Sequence, residues 1–366
     1  MNQVLILGGY GNFGARIAAE LVKANISVVI AGRHLQKAQA LRNQLIQNVD
    51  NKLVNVAAFD AKEELDNQLD KLKPIVVINT IGPFQAMDDS IAKTCIIYGV
   101  HYLDLADARD FVTGIISLND LAKQHNVLVV SGASTVPGLS SAVLDHYQNE
   151  FSTIDSMIYG ISPGQKAPRG LATTQSILTY LGKPLKSSAA DKKIRYGWQD
   201  IYRQDFPELG KRWMANCDIP DLDLFPEKYG MKSIQFSAGM ENYFLHFGMW
   251  LMSWIVRLGV PVDLSKHAGF LLRASHLFDR FGTSDGGMFM MIKGKDNKGD
   301  FKEVKWFMIA KNGDGPQIPC IPAIILAKKL VNRDLHVRGA MPCLSMMSLE
   351  EYMNELREFS IKCIAS

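Results

Sequence analysis

Short apolar runs alternate with stretches of helical spacing along the first third of the chain. The apolar runs predict six strands, at Val4–Leu7, Ser27–Ile30, Val54–Phe59, Ile75–Asn79, Tyr102–Leu105 and Val127–Ser131. The stretches between them predict helices, among them Arg33–Asn48, Glu63–Leu72, Ser90–Tyr98 and Ile115–His125. Strands that are apolar throughout and alternate with helices are typical of a parallel sheet covered on both faces. The pattern therefore predicts an α/β domain with a doubly wound parallel sheet over residues 1–135.

The pattern changes beyond residue 150. Met288–Lys293 and Val304–Ala310 flank a charged, glycine-containing turn and predict a β-hairpin. Further elements are predicted as strands at Ile154–Ile161, Ile194–Gly197 and Lys232–Phe236, and as a helix at Leu171–Leu181. Strands joined by hairpins indicate a mixed or antiparallel sheet, so residues 136–312 are predicted to form a second, α+β domain. Helices in residues 313–366, the last at Leu349–Ile361, are predicted to pack back on the first domain.

A glycine-rich turn follows the first strand. Gly9, Gly11 and Gly14 make the spacing G-x-G-x-x-G, and a helical pattern begins at once after them. In such a turn the first glycine allows the tight bend, the second lets a pyrophosphate approach the backbone, and the third lets the helix pack closely on the strand. This motif indicates a dinucleotide site when it occurs in the order strand, glycines, helix, strand, which is the order in this chain. We therefore predict a Rossmann dinucleotide site with contacts from Gly9, Tyr10, Gly11, Asn12, Phe13 and Gly14.

The residue at the tip of the second strand distinguishes the two pyridine dinucleotides. Enzymes that select NAD usually carry an acidic residue there, which accepts a hydrogen bond from the ribose 2′-hydroxyl. This chain carries Arg33, followed by His34 and Lys37. A guanidinium pairs well with a 2′-phosphate, so the sequence favours NADP(H), with NAD(H) as the alternative. A solvated surface cation is the other interpretation of Arg33.

Polar and turn residues follow the other predicted strands, where ligands of parallel sheets bind. Asp60 is placed to accept from an adenine amine or to cap a helix. Thr80, Gly82 and Pro83 form a turn that is predicted to line the nicotinamide riboside, or is an ordinary tight turn. Asp104 and Asp107 are weak catalytic candidates, with capping of the next segment as the alternative.

Two features of the second domain suggest ligand contacts. Arg169, near a predicted helix start, is a third weak catalytic candidate, because it could bind a substrate carboxylate together with Lys166. The alternative is a solvated basic loop. Residues 242–260 are rich in Phe, Trp, Met and Leu. This segment is predicted to be a buried or dimer-interface helix, a helix lying in a membrane surface, or an apolar wall for a greasy substrate. Nearby methionines could add to such a wall or belong to the core: Met249, Met252, Met288, Met290 and Met291.

Composition narrows the classes of partner. The chain has 366 residues, of which 47% are apolar, and a net charge of +3, which is too small to indicate a nucleic-acid partner. Its five cysteines are scattered without a C-x-x-C pair, which suits reduced thiols and argues against a metal site. The chain opens directly on a strand with no export signal, so a cytoplasmic location is expected.

The first domain resembles the NADP-binding domain of the saccharopine dehydrogenase (saccharopine reductase) superfamily. The resemblance is carried by the glycine turn with Ala31–Arg33 and by the segments Asn79–Phe84, His101–Asp107 and Ser131–Ser140. It implies a Rossmann domain, a second domain with a mixed sheet, and pyridine-nucleotide oxidoreduction at carbon–nitrogen bonds. True saccharopine reductases carry an acidic and Pro-Gly-Asp signature after the sixth strand, whereas Ser134–Leu139 lacks both the acid and the aspartate.

The expected function is that of an NADP(H)-dependent oxidoreductase acting on a C–N bond of a small metabolite, working as a homodimer. Two alternatives stay open at this point. The chain could bind the nucleotide as a regulatory or scaffold protein without turnover. It could also be a lipid-linked enoyl reductase-like enzyme in peripheral contact with a membrane through residues 242–260.

Overall fold

The computed structural model describes residues 3–47, 49–187 and 194–366. Strands in these residues are β1 Gln3–Leu7, β2 Ser27–Gly32, β3 Val54–Ala58, β4 Val76–Asn79, β5 His101–Asp104, β6 Leu128–Ser131, β7 Thr153–Ser162, β8 Tyr202–Phe206, β9 Gly210–Asn216, β10 Ser233–Met240, β11 Gly286–Lys295, β12 Phe301–Ala310, β13 Gly339–Pro342 and β14 Ile361–Ala365.

The α-helices are α1 Asn12–Lys23, α2 Leu35–Leu45, α3 Leu65–Leu72, α4 Ser90–Ile97, α5 Arg109–Gly114, α6 Asn119–Gln124, α7 Ser140–Tyr147, α8 Leu171–Tyr180, α9 Asp221–Tyr229, α10 Tyr243–Arg257, α11 Ala268–His276, α12 Ile321–Asn332 and α13 Leu349–Glu355.

The chain divides into two compact units. The first comprises Met1–Val143 and Gln317–Glu355, and the second comprises Leu144–Pro316 and Leu356–Ser366. The first division therefore falls at Val143 rather than at the predicted residue 135. The last helix also ends at Glu355 instead of Ile361, and the residues after it form β14 in the second unit. The prediction that all of 313–366 packs on the first domain is thus wrong for this final strand.

The first unit is built on a seven-stranded sheet with the order β13-β6-β5-β4-β1-β2-β3, in which every pairing is parallel. Its central strands are apolar and buried on both faces, as in Val4–Leu7 and Val76–Ile78. The predicted doubly wound α/β fold is confirmed. The chain runs from β1 outward to β3 and then returns to β4 on the other side of β1, so the order reverses between β1 and β4. A crevice for ligands opens at such a switch point, beyond the strand carboxyl ends.

The second unit is built on a seven-stranded mixed sheet with the order β14-β12-β11-β7-β10-β9-β8. The pairing of β7 with β10 is parallel and the other pairings are antiparallel, so the predicted mixed sheet is confirmed. The predicted hairpin is present as β11 and β12, and Met288 and Met290 lie in its core. The strand predicted at Ile194–Gly197 is wrong, because Tyr196 and Gly197 form isolated bridges only.

Within residues 242–260, Tyr243–Arg257 form α10, and each apolar side chain of this helix is exposed or half-buried. Within the helix only His246 and Ser253 are buried, whereas Phe244 is 61% exposed and Leu251 is 57% exposed. The prediction of a helix buried in the core is therefore wrong. Among the described residues, no helix combines the length and the apolarity needed to span a bilayer.

Close strand packing in the second sheet gives a test of the fold. Gly160 lies on β7 between β10 and β11, and a Cβ there would collide with Ser237 O and lie 2.9 Å from Met214 Cε. We expect Gly160→Ala to lower the free energy of unfolding by about 1–3 kcal/mol, the usual cost of overpacking. The matched control is Gly248→Ala in α10, where a Cβ meets nothing within 4 Å. The control should raise stability by about 0.4–1 kcal/mol. Urea titration measures both, and equal effects would contradict the packing.

Candidate nucleotide-binding site

The glycine turn between β1 and α1 is held by backbone contacts that leave no room for side chains. Gly8 has a φ of +71°, and a Cβ at Gly14 would lie 2.6 Å from Gly8 O and 2.7 Å from Gly9 Cα. The Gly9 N–H donates to Ala31 O at 2.9 Å, which ties the turn to the end of β2. Helix α1 can therefore begin directly against the turn, at the switch point of the sheet.

Gly11 is the exposed member of the turn. A Cβ there would meet only Gly8 O, at 3.0 Å, so its outer side is open. Gly11 is also the N-cap of the twelve-residue helix α1, which has no side-chain cap and no acidic residue in its first turn. The first amides of a helix lack partners within the helix and carry the positive end of its dipole. This end of α1 is thus suited to receive an anionic diphosphate.

Tyr10 links the glycine turn to the tip of β2. Its hydroxyl accepts a hydrogen bond from the His34 N–H at 3.1 Å, and its ring covers Gly32, where a Cβ would lie 2.6 Å from the ring. Arg33, His34 and Lys37 lie next to this contact and are all exposed. The three cationic or titratable side chains share the start of α2, whose first turn has no acidic residue.

Asp60 follows β3 and is engaged in a local turn. Its carboxylate accepts from the Lys62 N–H at 3.0 Å, and its own N–H donates to Glu64 at 3.2 Å. Glu64, and not Asp60, is the N-cap of α3. Asp60 therefore caps the turn before α3, and the interpretation of Asp60 as the N-cap of α3 is wrong.

Thr80 joins the turn after β4 to the glycine turn. Its hydroxyl donates to Leu7 O at 2.8 Å and lies 3.2 Å from Gly8 O, and a Cβ at Gly8 would lie 2.8 Å from it. The following residues Gly82 and Pro83 lead into Phe84, which is buried against Phe111 with ring centroids 5.3 Å apart. The two turns on either side of the switch point are thus fixed to one another.

Asp104 clamps the ends of β5 and β6. It is fully buried, and its Oδ1 accepts from the Ser131 hydroxyl at 2.9 Å, the Gly132 N–H at 2.9 Å and the Ala106 N–H at 3.0 Å. These contacts fit the capping alternative, and the weak assignment of Asp104 as a catalytic residue stays a prediction. Sequence reasoning missed its side-chain partners Tyr102 and Ser131, and Asn79 in turn donates to the Tyr102 hydroxyl at 3.1 Å.

Burial dominates the titration of this carboxyl group. It raises the pKa of Asp104 from 3.8 to about 6, against the opposing effect of the hydrogen bonds from Gly132, Ala106 and Ser131. Burial therefore outweighs the donors, and Asp104 takes up a proton at a higher pH than an exposed aspartate does.

Asp107 lies three residues further on and is half-buried. It accepts from the Gln85 amide at 3.1 Å, which connects the segment after β5 to the turn after β4. Asp107 is therefore placed at the carboxyl edge of the sheet beside the turn of Thr80 and Gly82.

Arg169 belongs to a polar cluster of the second unit. Its guanidinium pairs with Asp279 and lies 3.0 Å from His276 Nδ1, while Gln165 donates to Asp279 at 3.0 Å. The interpretation of a solvated basic loop is therefore wrong for Arg169. Its guanidinium already has a carboxylate partner within the chain, and the weak assignment of Arg169 as a catalytic residue stays a prediction. Lys166 is exposed. Among the described residues, no group of three His, Cys, Asp or Glu side chains is placed to hold a metal ion.

The buried carboxyl of Asp104 gives a pH-dependent test. Its folded-state pKa of about 6 exceeds the value of about 3.9 expected in the unfolded chain, so the folded state binds the proton more tightly. The free energy of unfolding should therefore fall between pH 4 and pH 7 by about 2–3 kcal/mol through this group. Asp104→Asn keeps an acceptor oxygen and should remove that part of the pH dependence. Urea titrations across this range measure the difference, and parallel curves for the two proteins would contradict it.

Comparison with known proteins gives a family match for the first domain and a distant curated relative. Residues 4–133 match the family model of the saccharopine dehydrogenase NADP binding domain. A Caenorhabditis elegans protein described as "Lipid droplet localized protein" is 24% identical over 143 residues, which cover 37% of this chain and 34% of that protein. The matched part thus spans about a third of the curated relative's length.

A solved structure is similar over the whole chain. Apo saccharopine dehydrogenase (L-Glu forming) from Saccharomyces cerevisiae superposes with a TM-score of 0.64 at 13% identity, and the alignment covers 100% of both chains. At this identity the likeness shows a shared fold. The resemblance predicted from the strand-end segments is confirmed, and NADP is the cofactor of the matching family. Residues 4–133 are therefore similar to the NADP-binding domain of saccharopine dehydrogenases.

Proposed function

We propose that the chain is an NADP(H)-dependent oxidoreductase that acts at a carbon–nitrogen bond of a small metabolite. When bound, the nicotinamide supplies or accepts the hydride, so the protein has to bind, orient and shield the reacting groups. The observation that carries the proposal is the open, side-chain-free turn at Gly11, which lies at the amino end of α1 and at the switch point of a parallel sheet.

The pyrophosphate is proposed to bind at this turn. The contacts at Gly9 and Gly14 are too close for any Cβ, so these glycines serve the packing of the turn. Gly11 has free space on its outer side and lets the diphosphate reach the first amides of α1. Asn12 and Phe13 are half-buried at this helix start and would contribute their N–H groups.

The 2′-phosphate is proposed to bind at the start of α2. Arg33 follows β2 directly and has no carboxylate partner within the described ranges, so its guanidinium can pair with the phosphate. His34 and Lys37 would add to the positive charge there. Tyr10 keeps the tip of β2 close to the glycine turn through its contact with His34, so one dinucleotide can reach both places.

The nicotinamide end is proposed to lie beside the turn of Thr80, Gly82 and Pro83. The Thr80 hydroxyl donates to Leu7 O and so holds this turn in place. Asp107 is proposed to handle a proton, because its half-buried carboxylate lies at the same edge of the sheet. Asp60 remains a proposed contact of the adenine, and the dimer and the cytoplasmic location stay predictions.

Charge reversal at Arg33 tests the cofactor assignment. Arg33→Glu should weaken NADPH binding by about 100-fold, since a charged hydrogen bond contributes about 1.5–3 kcal/mol and the new carboxylate repels the phosphate. NADH binding should change by less than about threefold, because no phosphate lies near the substituted side chain. The matched control is Lys71→Glu. Lys71 is an exposed cation near the end of α3, and α3 leads into the amino end of β4, away from the carboxyl edge of the sheet. Calorimetric titration measures all four affinities, and an equal loss for both nucleotides would contradict the assignment.

Turnover separates an enzyme from a nucleotide-binding scaffold. The protein should oxidise NADPH in the presence of a 2-oxo acid and a primary amine, or reduce NADP⁺ with the corresponding secondary amine. Loss or gain of NADPH absorbance across a panel of such pairs is the measurement. Asp107→Asn should lower kcat more than KM if the carboxylate moves a proton. Tight NADPH binding without oxidation by any pair in the panel would favour the scaffold.

A further inference from the structure

Helix α10 carries its apolar side chains outward in a single stripe. Tyr243, Leu251, Trp254 and Leu258 are separated by multiples of three and four residues and therefore share one side of the helix. Phe244 and Ile255 lie beside this stripe at helical spacing. All six side chains are exposed, and Leu258 is the most exposed at 77%. We call these six residues the apolar face.

Two polar residues are buried on the opposite side of α10. His246 is fully buried, its backbone carbonyl accepts from the Trp198 indole at 3.2 Å, and neither of its ring nitrogens has a partner among the described residues. Ser253 is also fully buried and lies 3.3 Å from the Gln199 amide. Arg257, on the same side, bonds Gln199 and stacks on Tyr196 at 3.9 Å. This arrangement reverses the usual one, in which a surface helix buries its apolar stripe.

The polar contacts fix the rotation of the helix. Gly182 is pressed against Ser253, since a Cβ there would collide with Ser253 O and lie 2.9 Å from Val256 Cβ. Asn242 caps the helix by accepting from the Phe244 and Leu245 N–H groups at 3.0 and 3.3 Å. The apolar face is thus held outward at both ends of the helix and is not a loosely packed core.

The chain after α10 continues the same surface character. Val260, Val262, Phe270, Leu277 and Phe281 are all exposed. The turn at Leu264–His267 packs on α8 together with α11, so this segment is anchored to the same helix of the second unit. Exposed apolar side chains are therefore concentrated in residues 243–281.

The charges around these side chains are mainly positive. Helix α10 has no acidic residue, and residues 242–281 contain four Lys or Arg and two Asp. Both aspartates are already engaged, Asp263 with Lys266 at 3.7 Å and Asp279 with Arg169. Lys266, Arg273 and Arg280 are exposed among the apolar residues of this segment, and Arg257 is exposed at the end of α10, 4.8 Å from the Trp254 ring centroid.

We propose that the apolar face docks on an anionic lipid surface, with α10 lying in the plane of the headgroups. Aromatic and leucine side chains would enter the acyl boundary, and the cations would meet lipid phosphates, which is the pattern of interfacial helices. Tryptophans such as Trp254 favour this depth because the ring is apolar and its N–H is polar.

The charges make a second copy of the chain a poorer occupant. Two parallel α10 helices related by a two-fold axis would bring Arg257 against Arg257. Two antiparallel helices would bring Arg257 against the positive end of the other helix dipole, where the first turn has no acidic residue. Lipid phosphates are negative and can therefore pair both with Arg257 and with the positive end of the helix dipole. The inference is independent of the proposed function, since lipid docking requires no bound nucleotide.

Co-sedimentation of the full chain with vesicles tests the proposal. We expect binding to vesicles of phosphatidylcholine and phosphatidylglycerol in equal parts, weaker binding to phosphatidylcholine alone, and loss of the difference at high salt. The double variant Leu251→Asp with Trp254→Asp should lower the partition coefficient by at least about tenfold, because two carboxylates replace the deepest apolar groups. The matched control is Phe301→Asp, a residue 73% exposed on β12 of the same unit, which should bind as the wild type does.

A second measurement avoids disruptive variants. Lipids with brominated acyl chains should quench the tryptophan fluorescence of the wild type, and Trp254→Phe should reduce the quenched fraction. Circular dichroism and NADPH binding verify that each variant is folded. Absence of wild-type binding to both vesicles would overturn the proposal. So would a dimer in sedimentation velocity that the double variant dissociates, since the apolar face would then be covered by a second copy.

Discussion

Backbone contact at the carboxyl end of β1 is the constraint on which the first unit depends. A methyl group at Gly14 would lie 2.6 Å from Gly8 O and 2.7 Å from Gly9 Cα, so it has no space. This contact lets α1 start directly at the turn, which directs its free amides beyond the sheet edge. Thr80 fixes the neighbouring turn to the same carbonyls through its hydroxyl. The close contact at Gly14 thus determines where an anion can bind. The hydrogen bonds of Thr80 to the same turn determine where the opposite wall of the crevice lies.

A buried carboxylate stabilises the carboxyl edge of the first sheet at β5 and β6. Asp104 gathers three donors from the ends of β5 and β6, in a place where water cannot satisfy the amide of Gly132. A neutral side chain without an acceptor would leave these donors unpaired, at a cost of about 1–3 kcal/mol each. The desolvation of the carboxylate is the opposing cost, and its raised pKa reports it. The shape of the edge is therefore maintained by buried polar groups.

Local pattern predicted much of the fold, because apolar runs, helical periods and turn glycines are read from neighbouring residues. The strand ends carrying Thr80, Asp104 and Asp107 were found in this way. Pairings between distant residues were not: Asp279 meets Arg169 across more than a hundred positions, and no local signal connects them. Periodicity in residues 242–260 indicated a stripe but could not show which side faces the core. That side was decided by the partners Trp198, Gln199 and Gly182.

Strand β13 was also missed, since Gly339–Pro342 has four residues and both ends are turn formers. It adds to the first sheet beside β6, with Ala340 paired to Val129. Ring atoms of Pro322 lie against Gly138 in the same unit. The nucleotide domain consequently draws its last strand and a covering helix from residues that the ribosome adds some two hundred positions after β6. During synthesis the edge of β6 stays without its neighbour until Gly339–Pro342 have been made, and exposed edges of this kind recruit other strands. Completion of the first sheet is thereby coupled to synthesis of the second unit's main segment, and a chain that stops before β13 would release six strands with an unpaired, adhesive edge.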